Sequence, residues 1–397
     1  MSASLEMRRI DNTALDITPF VSRFVWTESL ILGGFYWSID FKAVSWNEWD
    51  DLMMGRDERT VQFRLRLEED QGPQSTEWRT AVVDKSRATF SQDTSMLASV
   101  KGADLALRMA QTARTRLFRQ RTAADVLRRI ASDYGLLASI EDTGGVRDWY
   151  QTREDDWGFA RRVARTSANA AGRGDTYLWM DELALRFGAP ALTPASVRRY
   201  DLNAVENRVD GYAAAYHGRT ADRMGAATLR GVGFDFLTKS ALSFTVNQGT
   251  SQTHPALARR LPRSMDDGLR IVPVTEQVPA RVEEVVRSRW GRVAPRYLSL
   301  RVRTRPDLTL HPNTIISMEM NLDGRRETPF MGRYAVVEVQ HVLTKGTIDT
   351  SFVAYRREAQ AGDDQPTGAN ADNPSTRDHA QQAGINPSTI LVAQSLG

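Results

Sequence analysis

Apolar residues at Val61, Phe63, Leu65 and Leu67 alternate with Gln62, Arg64 and Arg66. A period of two is that of a strand with one buried face. The alternation returns at Leu298, Leu300 and Val302, with Ser299, Arg301 and Arg303 on the opposite face. Elsewhere the period lengthens. Val126, Leu127, Ile130 and Tyr134 share one helical face after Thr122, and Gly135 ends that helix. Trp157, Phe159, Ala160, Val163 and Ala164 line a second helix, started by Thr152 or Asp155. Val282, Val285, Val286 and Trp290 line a third, with Pro279 in its first turn and Gly291 at its end. Further strands are expected at Trp78–Phe90, Ser95–Lys101, Leu136–Ile140, Thr176–Met180, Leu183–Phe187, Thr314–Met320, Arg333–Leu343 and Thr347–Tyr355. Asp181-Glu182 forms the turn of one hairpin, and Ser45 caps a short helix that runs to Met54 before Gly55.

These elements divide the chain. Residues 1–115 read as strands with one helix, 116–188 as a small α/β domain, and 189–357 as β-rich again. Residues 358–397 turn to Gly, Asp, Gln, Pro, Ala, Asn and Ser, a flexible-linker composition in which only Ile390, Leu391, Val392 and Leu396 stand out as apolar. The fold class is α+β and β-rich. Ser45–Leu67 and Pro279–Val302 both run helix, glycine, loop, alternating strand with arginines on one face. That echo points to two copies of one β-rich module on either side of the α/β domain. The arginines Arg64, Arg66, Arg301 and Arg303 then form either a solvated face or the lining of a channel or subunit interface.

The chain has 397 residues and no cysteine, which excludes disulfides, Cys-ligated metal centres and a thiol nucleophile. MSASLEMRRIDNTALDI lacks the apolar stretch of a secretory signal, and the longest apolar run, Leu30–Trp37, is broken by two glycines and is far short of a membrane span. The expectation is a protein kept in the cytoplasm or built into an assembly. The net charge of +3 is unevenly placed: Glu358, Asp363, Asp364, Asp372 and Asp378 oppose Arg377 alone in the tail. The body is correspondingly basic, and apart from Lys42, Lys85, Lys101, Lys239 and Lys345 every basic residue is Arg. Phosphate contacts to nucleic acid are one account of that bias and genomic composition is the other. No basic run is tightly clustered.

Catalytic signatures are missing from the sequence. There is no phosphate-binding glycine loop, no GxGxxG and no GxSxG. His217, His254, His311, His341 and His379 show no metal-ligand spacing, and His341 within an alternating strand reads as structural. Glu154, Asp155 and Asp156 suit a helix start, where carboxylates meet free N–H groups, better than acid–base work, which needs a second carboxylate across a cleft. No enzyme, metal or cofactor is expected. Trp26, Trp37, Trp46 and Trp49 are either core or interface.

Five further stretches carry a resemblance. Tyr150–Ala164, YQTREDDWGFARRVA, resembles the Tyr-x-Gln…Asp-Trp-x-Phe…Arg-Val-Ala segment of phage late control protein D and of the VgrG proteins of type VI secretion, and Tyr177–Gly188 is similar to the hairpin that follows it. Leu310-His311-Pro312-Asn313-Thr314-Ile315 resembles that family's Leu-x-Pro-Gly-x-x-Ile, and Gly332–Val336 its Gly-x-Tyr-x-Val. His341 with Thr350–Arg356 resembles its closing strands. The resemblance covers about residues 122–356, and before that rests on order and pattern only. It makes Tyr150, Asp156, Trp157, Phe159, Tyr334 and His341 motif positions of structural weight.

The resemblance implies a tail baseplate hub. Two tail-tube-like β-barrels flank the α/β domain, and a homotrimer closes into a ring of six barrels that joins a sixfold tail tube to a threefold spike. Tape measure protein and then DNA would pass its lumen, which Arg64, Arg66, Arg301 and Arg303 are candidates to line. Expected partners are the tail tube or distal tail protein, the tape measure protein and a separate spike, since no spike or lysozyme-like domain follows the second barrel. The acidic arm has no family counterpart, and is expected to dock on the spike or a neighbouring subunit. The expected location is the virion tail, after assembly in the host cytoplasm. The alternatives are the hub of a tailocin-like device, a peptidoglycan-cleaving tail enzyme, and a DNA-binding protein with steeply salt-dependent affinity.

Overall fold

The computed structural model describes residues 2–8, 14–42, 60–69, 72–90, 96–169, 176–189, 198–201, 209–216, 228–235, 238–247, 269–273, 279–293, 298–319 and 332–356. The first strands are β1 (Ser2–Arg8), β2 (Ala14–Asp16), β3 (Val21–Ser29), β4 (Gly34–Phe41), β5 (Thr60–Glu69), β6 (Gly72–Ser75), β7 (Arg79–Phe90) and β8 (Met96–Ala103). Then come α1 (Ala106–Met109), β9 (Ala113–Arg121), α2 (Ala123–Asp133), β10 (Leu137–Ile140), β11 (Arg147–Asp155), α3 (Asp156–Arg165), β12 (Tyr177–Asp181) and β13 (Ala184–Gly188). The remainder holds β14 (Arg198–Asp201), β15 (Val209–Tyr216), β16 (Thr228–Asp235), β17 (Ser240–Asn247), β18 (Leu269–Pro273), α4 (Pro279–Val293), β19 (Leu298–Thr304), β20 (Ile315–Glu319), β21 (Gly332–Thr344) and β22 (Thr347–Arg356). The chain divides into two compact units. The first joins Met1–Ala191 with Arg301–Asn313 and Val336–Val353, and the second holds Leu192–Leu300, Thr314–Ala335 and Ala354–Gly397.

In the first unit the strands follow the order β22-β21-β3-β4-β8-β7-β5-β1-β2, with β6 on β5. Ala3 N–H donates to Gly346 O at 3.1 Å, so strands near opposite ends of that order meet. Alternation sets which face is buried. Phe63, Leu65 and Leu67 on β5 point to the core, and register places Leu5 against Leu65 and Met7 against Phe63. Trp26 pairs with Trp37 across β3 and β4, and both are buried. Trp26 packs on Phe35 at 4.6 Å and Trp37 on Phe63 at 4.9 Å between ring centroids. These two tryptophans are therefore core; Trp46 and Trp49 lie outside the described residues. Burying each such ring is worth about 2–3 kcal/mol.

A second core in the same unit joins α2 and α3 to strands β10-β13-β12 and the ribbon β9-β11. Thr122 accepts from Asp125 N–H and Asp125 reaches back to Thr122 N–H, a complete capping box that fixes the start of α2. Asp155, not Thr152, caps α3 by accepting from Gly158 N–H at 2.7 Å. The expected inward face of α3 is buried throughout. Gly33 joins the two cores. Its φ is +90°, its carbonyl accepts from Met180 N–H at 2.9 Å, and a Cβ there would lie 2.9 Å from the Trp157 ring.

In the second unit β17-β16-β18 form a sheet on which α4 packs Val282, Val285 and Val286 against Leu229. Also in this unit, β14 pairs in parallel with β20, and Ile315 of β20 lies opposite Ala335 of β21. Gly291 does not end α4, which continues to Val293. In the last turn of an established helix a glycine costs only about 1 kcal/mol, too little to stop it. The helix expected at Ser45–Met54 and its Gly55 stop lie outside the described residues, as do the arm 358–397 and His217, His254 and His379.

Candidate functional site

Three groups of side chains in the first unit carry concentrated charge. The first surrounds Asp156, which is fully buried on the first turn of α3. The helix-start role expected of it belongs to its neighbour Asp155. Asp156 instead faces the ribbon: Arg116 Nη2 donates to its Oδ1, Gln151 Nε2 donates to the same oxygen at 2.7 Å, and Tyr134 O–H donates to Oδ2 at 2.8 Å. Arg114 Nε stands 3.4 Å from Oδ2. Burial together with Asp156 pushes the Tyr134 hydroxyl up to about 12. Trp157 and Phe159 are buried beside this cluster, Phe159 stacking on Phe118 at 5.7 Å, whereas Tyr150 is 60 % exposed on the ribbon.

The second group lines a cleft of about 290 Å³ formed by β3, β4, β7, β12, β13 and the segment at His311. Glu28 sits at its base. Its Oε1 accepts from Trp26 Nε1 at 2.9 Å, and its Oε2 accepts from His311 Nδ1 at 3.3 Å and from Arg79 Nη2 at 3.4 Å. Burial alone would raise its pKa, but the His311 hydrogen bond, the Arg79 charge and the Trp26 hydrogen bond outweigh burial and hold it at about 2. Arg79 also donates to Asp181 Oδ1 at 2.8 Å, bracing the large sheet against the β12–β13 hairpin. Asp104 behaves oppositely. Burial pushes it up to about 7, although its two oxygens accept from Phe35 N–H at 2.7 Å and Ala106 N–H at 2.9 Å. Two carboxylates with separated pKa values in one cleft have the outward form of an acid–base pair. Here all four oxygens of Glu28 and Asp104 already accept from donors of the fold itself, which braces the elements around the cleft.

His311 reaches Glu28 because Asn313 holds φ +78° and its N–H donates to Val336 O at 2.8 Å. The left-handed conformation is the one that explains a glycine at the corresponding place of the Leu-x-Pro-Gly motif, and Asn adopts it more readily than other side chains do. His341 is buried on β21, opposite Trp26, and shares a hydrogen bond with Thr350 Oγ1 at 2.9 Å. Burial holds its pKa down at about 4, so it stays neutral. Tyr334 is fully buried in the second unit.

The third group comprises the outward arginines. Arg64 and Arg66 lie on the face of β5 away from the core, as the alternation requires. Glu6 is directly opposite Arg64 in register and accepts from Arg64 Nε and Arg66 Nη1, each at 2.9 Å. Arg8 and Arg64 each stand 4.6 Å from the Trp78 ring centre. Arg301 and Arg303 are exposed, and Arg303 pairs with Asp349 at 3.0 Å. Among the described residues there is no cluster of three or more His, Asp or Glu side chains placed to hold a metal ion, and no helix is long and apolar enough to cross a membrane.

No protein-family model matches the chain, and no curated protein matches it in sequence. Solved structures do. The tail protein from Neisseria meningitidis MC58 superposes with a TM-score of 0.61 at 10% identity, over 90% of this chain and 97% of that one. The 43 kDa tail protein of prophage MuSo2 from Shewanella oneidensis gives 0.59 at 12% identity, over 89% and 98%. The fold is that of a phage tail protein. A chain of the half-lidded Francisella PdpA–VgrG complex shares it at 0.54 and 6% identity, over 89% of this chain but 57% of that longer one. The tail-protein and VgrG likeness carried by the Asp156-Trp157-x-Phe159, Leu310–Ile315 and His341 motifs is thus matched at the level of fold.

Proposed function

We propose that the chain is a structural hub of a phage tail baseplate, with no catalytic role of its own. Three copies form a ring; each contributes two tube-like barrels with the α/β domain between them, so a threefold assembly presents six similar lobes to a sixfold tube. The ring adapts that tube to a separate threefold spike, and tape measure protein and DNA pass through it in the assembled virion. The observation that carries this reading is the fold shared with two tail proteins along nearly the whole length of each. The outward arginines on β5 and β19 add to it, since both strands alternate alike, with a buried apolar face behind.

Light scattering on the purified chain, with negative-stain averages of the same sample, tests the proposal. A trimeric mass and a six-lobed ring with a central hole are expected. A monomer that also fails to form a ring when co-expressed with its spike would overturn the proposal.

A further inference from the structure

The ribbon β9–β11 presents an unusual surface. Strand β9 runs for nine residues, and among the described residues only β11 pairs with it. A groove of about 840 Å³ lies between β9 and α2, with Leu117, Arg119, Arg121, Asp125, Arg128 and Arg129 among the residues that line it. Arg128 is engaged with Asp125 and Asp142, and Arg129 with Asp133. Arg119 and Arg121 have no ion-pair partner among the described residues. Leu117 lies close to Tyr150 across the ribbon, and both are exposed, at 42 % and 60 %. The surface therefore offers three things together: an open strand edge, an apolar strip and unpaired guanidinium groups. Long open edges are normally blunted or covered.

We propose that the acidic C-terminal tail of a second copy of this chain covers this edge. The tail carries both complements. Asp363, Asp364, Asp372 and Asp378 are opposed by Arg377 alone, and they supply carboxylates for Arg119 and Arg121. Ser388-Thr389-Ile390-Leu391-Val392 is a run rich in β-branched residues, suited to pair as an added strand beside Leu117. The residues from Glu358 to Pro387 reach on the order of 100 Å when extended, enough to cross to a neighbouring subunit. The inference rests on the ring reading, which supplies that neighbour, and makes the tail a strap between subunits.

The absence of cysteine gives a clean test. Full-length Leu117→Cys is co-expressed with full-length variants carrying Thr389→Cys, Ile390→Cys, Leu391→Cys or Val392→Cys, and mild oxidation is followed by non-reducing electrophoresis. A disulfide-linked pair of chains is expected for alternate positions of the run, as strand pairing dictates. Adding Arg119→Glu and Arg121→Glu to the Leu117→Cys chain is expected to lower the linked fraction about tenfold, the effect of roughly 1.4 kcal/mol. No linkage at any position overturns the inference, and the mass of the same sample separates the cases: a trimer without linkage leaves the ring reading standing, whereas a monomer removes both. Linkage that forms only within one chain, in a variant carrying both cysteines, also overturns it. So does binding of a DNA duplex that Arg119→Glu and Arg121→Glu abolish while no linkage forms, since the groove would then serve phosphate.

Discussion

On the large sheet of the first unit Phe24, Trp26, Phe35, Trp37 and Phe63 bury their rings against one another. In the ribbon-and-helix region beside it a carboxylate, Asp156, occupies an equally buried position and is held by Arg114, Arg116, Tyr134 and Gln151. The two regions differ in how they fail. An apolar core loses stability in proportion to the surface and volume removed, and neighbouring side chains partly refill the gap. A buried ionic hub loses its balance at once when one member goes, because the remaining charges stay desolvated. The sheet is thus the tolerant half of the unit, and the junction of ribbon and α3 is the exacting half, fixing where Trp157 and Phe159 sit.

The sharpest test of this contrast is Asp156→Ala. It takes one of three acceptors from Arg116, which keeps Asp133 and Gln151, and leaves Arg114 and the Tyr134 hydroxyl without this acceptor. The expected loss is about 3–5 kcal/mol in urea unfolding. On the sheet, Val100→Ala at a fully buried site should cost less, about 1–2 kcal/mol for the two methyl groups lost. Equal losses at the two positions would erase the distinction.

The sheet also buries two titratable side chains, His341 and Glu28. The unfolded chain protonates His341 near 6.5 and the folded one near 4. Between those values the unfolded state holds more protons, so stability is lost as pH falls from 6.5 to 4. Glu28 adds a further loss from about 4.5 down to about 2. Asp104 works the other way, gaining stability as pH falls from about 7 to 3.8. The His341 contribution is isolated by difference. The stability gap between wild type and His341→Gln should shrink by on the order of 2–3 kcal/mol from pH 7 to pH 4. A gap that stays constant in thermal melts across that range would show that His341 takes up its proton alike in the folded and the unfolded chain.

The same contrast explains what can be read from the amino acids alone. Where burial follows a simple period, as on β5 and α3, the residues name their own face, and Thr122 announces α2 through its capping box. β1 is harder to see: Ala3, Leu5 and Met7 alternate, but the run is short and begins at the chain's start. The ribbon is harder still, because β9 reads Ala-Arg-Thr-Arg-Leu-Phe-Arg-Gln-Arg, with arginines on both faces and little apolar contrast. Without the ribbon the partners of Asp156 stay hidden, and the acidic cluster reads only as a helix start. The cleft shows the general limit. Glu28, Arg79, Asp104, Asp181 and His311 converge from five distant places, and no spacing encodes such a meeting. The only local signal is the Leu310–Asn313 motif, whose turn aims His311.

A smaller effect belongs to the cap of α3. Asp155→Ala removes the acceptor for Gly158 N–H at the helix start, with an expected cost of about 1 kcal/mol. Asp155→Asn, which keeps an acceptor, should recover most of it. A loss as large as that of Asp156→Ala would move the exacting point of the junction from the ribbon to the cap.

The smallest effect is expected at Arg303, and it is informative for that reason. Arg303 and Asp349 are 61 % and 56 % exposed and 3.0 Å apart. An exposed pair of this kind contributes under about 0.5 kcal/mol, because water screens the attraction and two long side chains must be held still. Arg303→Gln should therefore leave urea unfolding unchanged. Arg64→Gln should cost more, since it gives up both Glu6 and the Trp78 face. Neither arginine is needed to bury the core behind it. If Arg303→Gln unfolds like wild type yet lowers the assembled mass, or leaves the ring intact while slowing DNA release from tails that carry it, the side chain acts between subunits or in the lumen. Wild-type behaviour in all three measurements would make the outer face of β19 plain solvated surface.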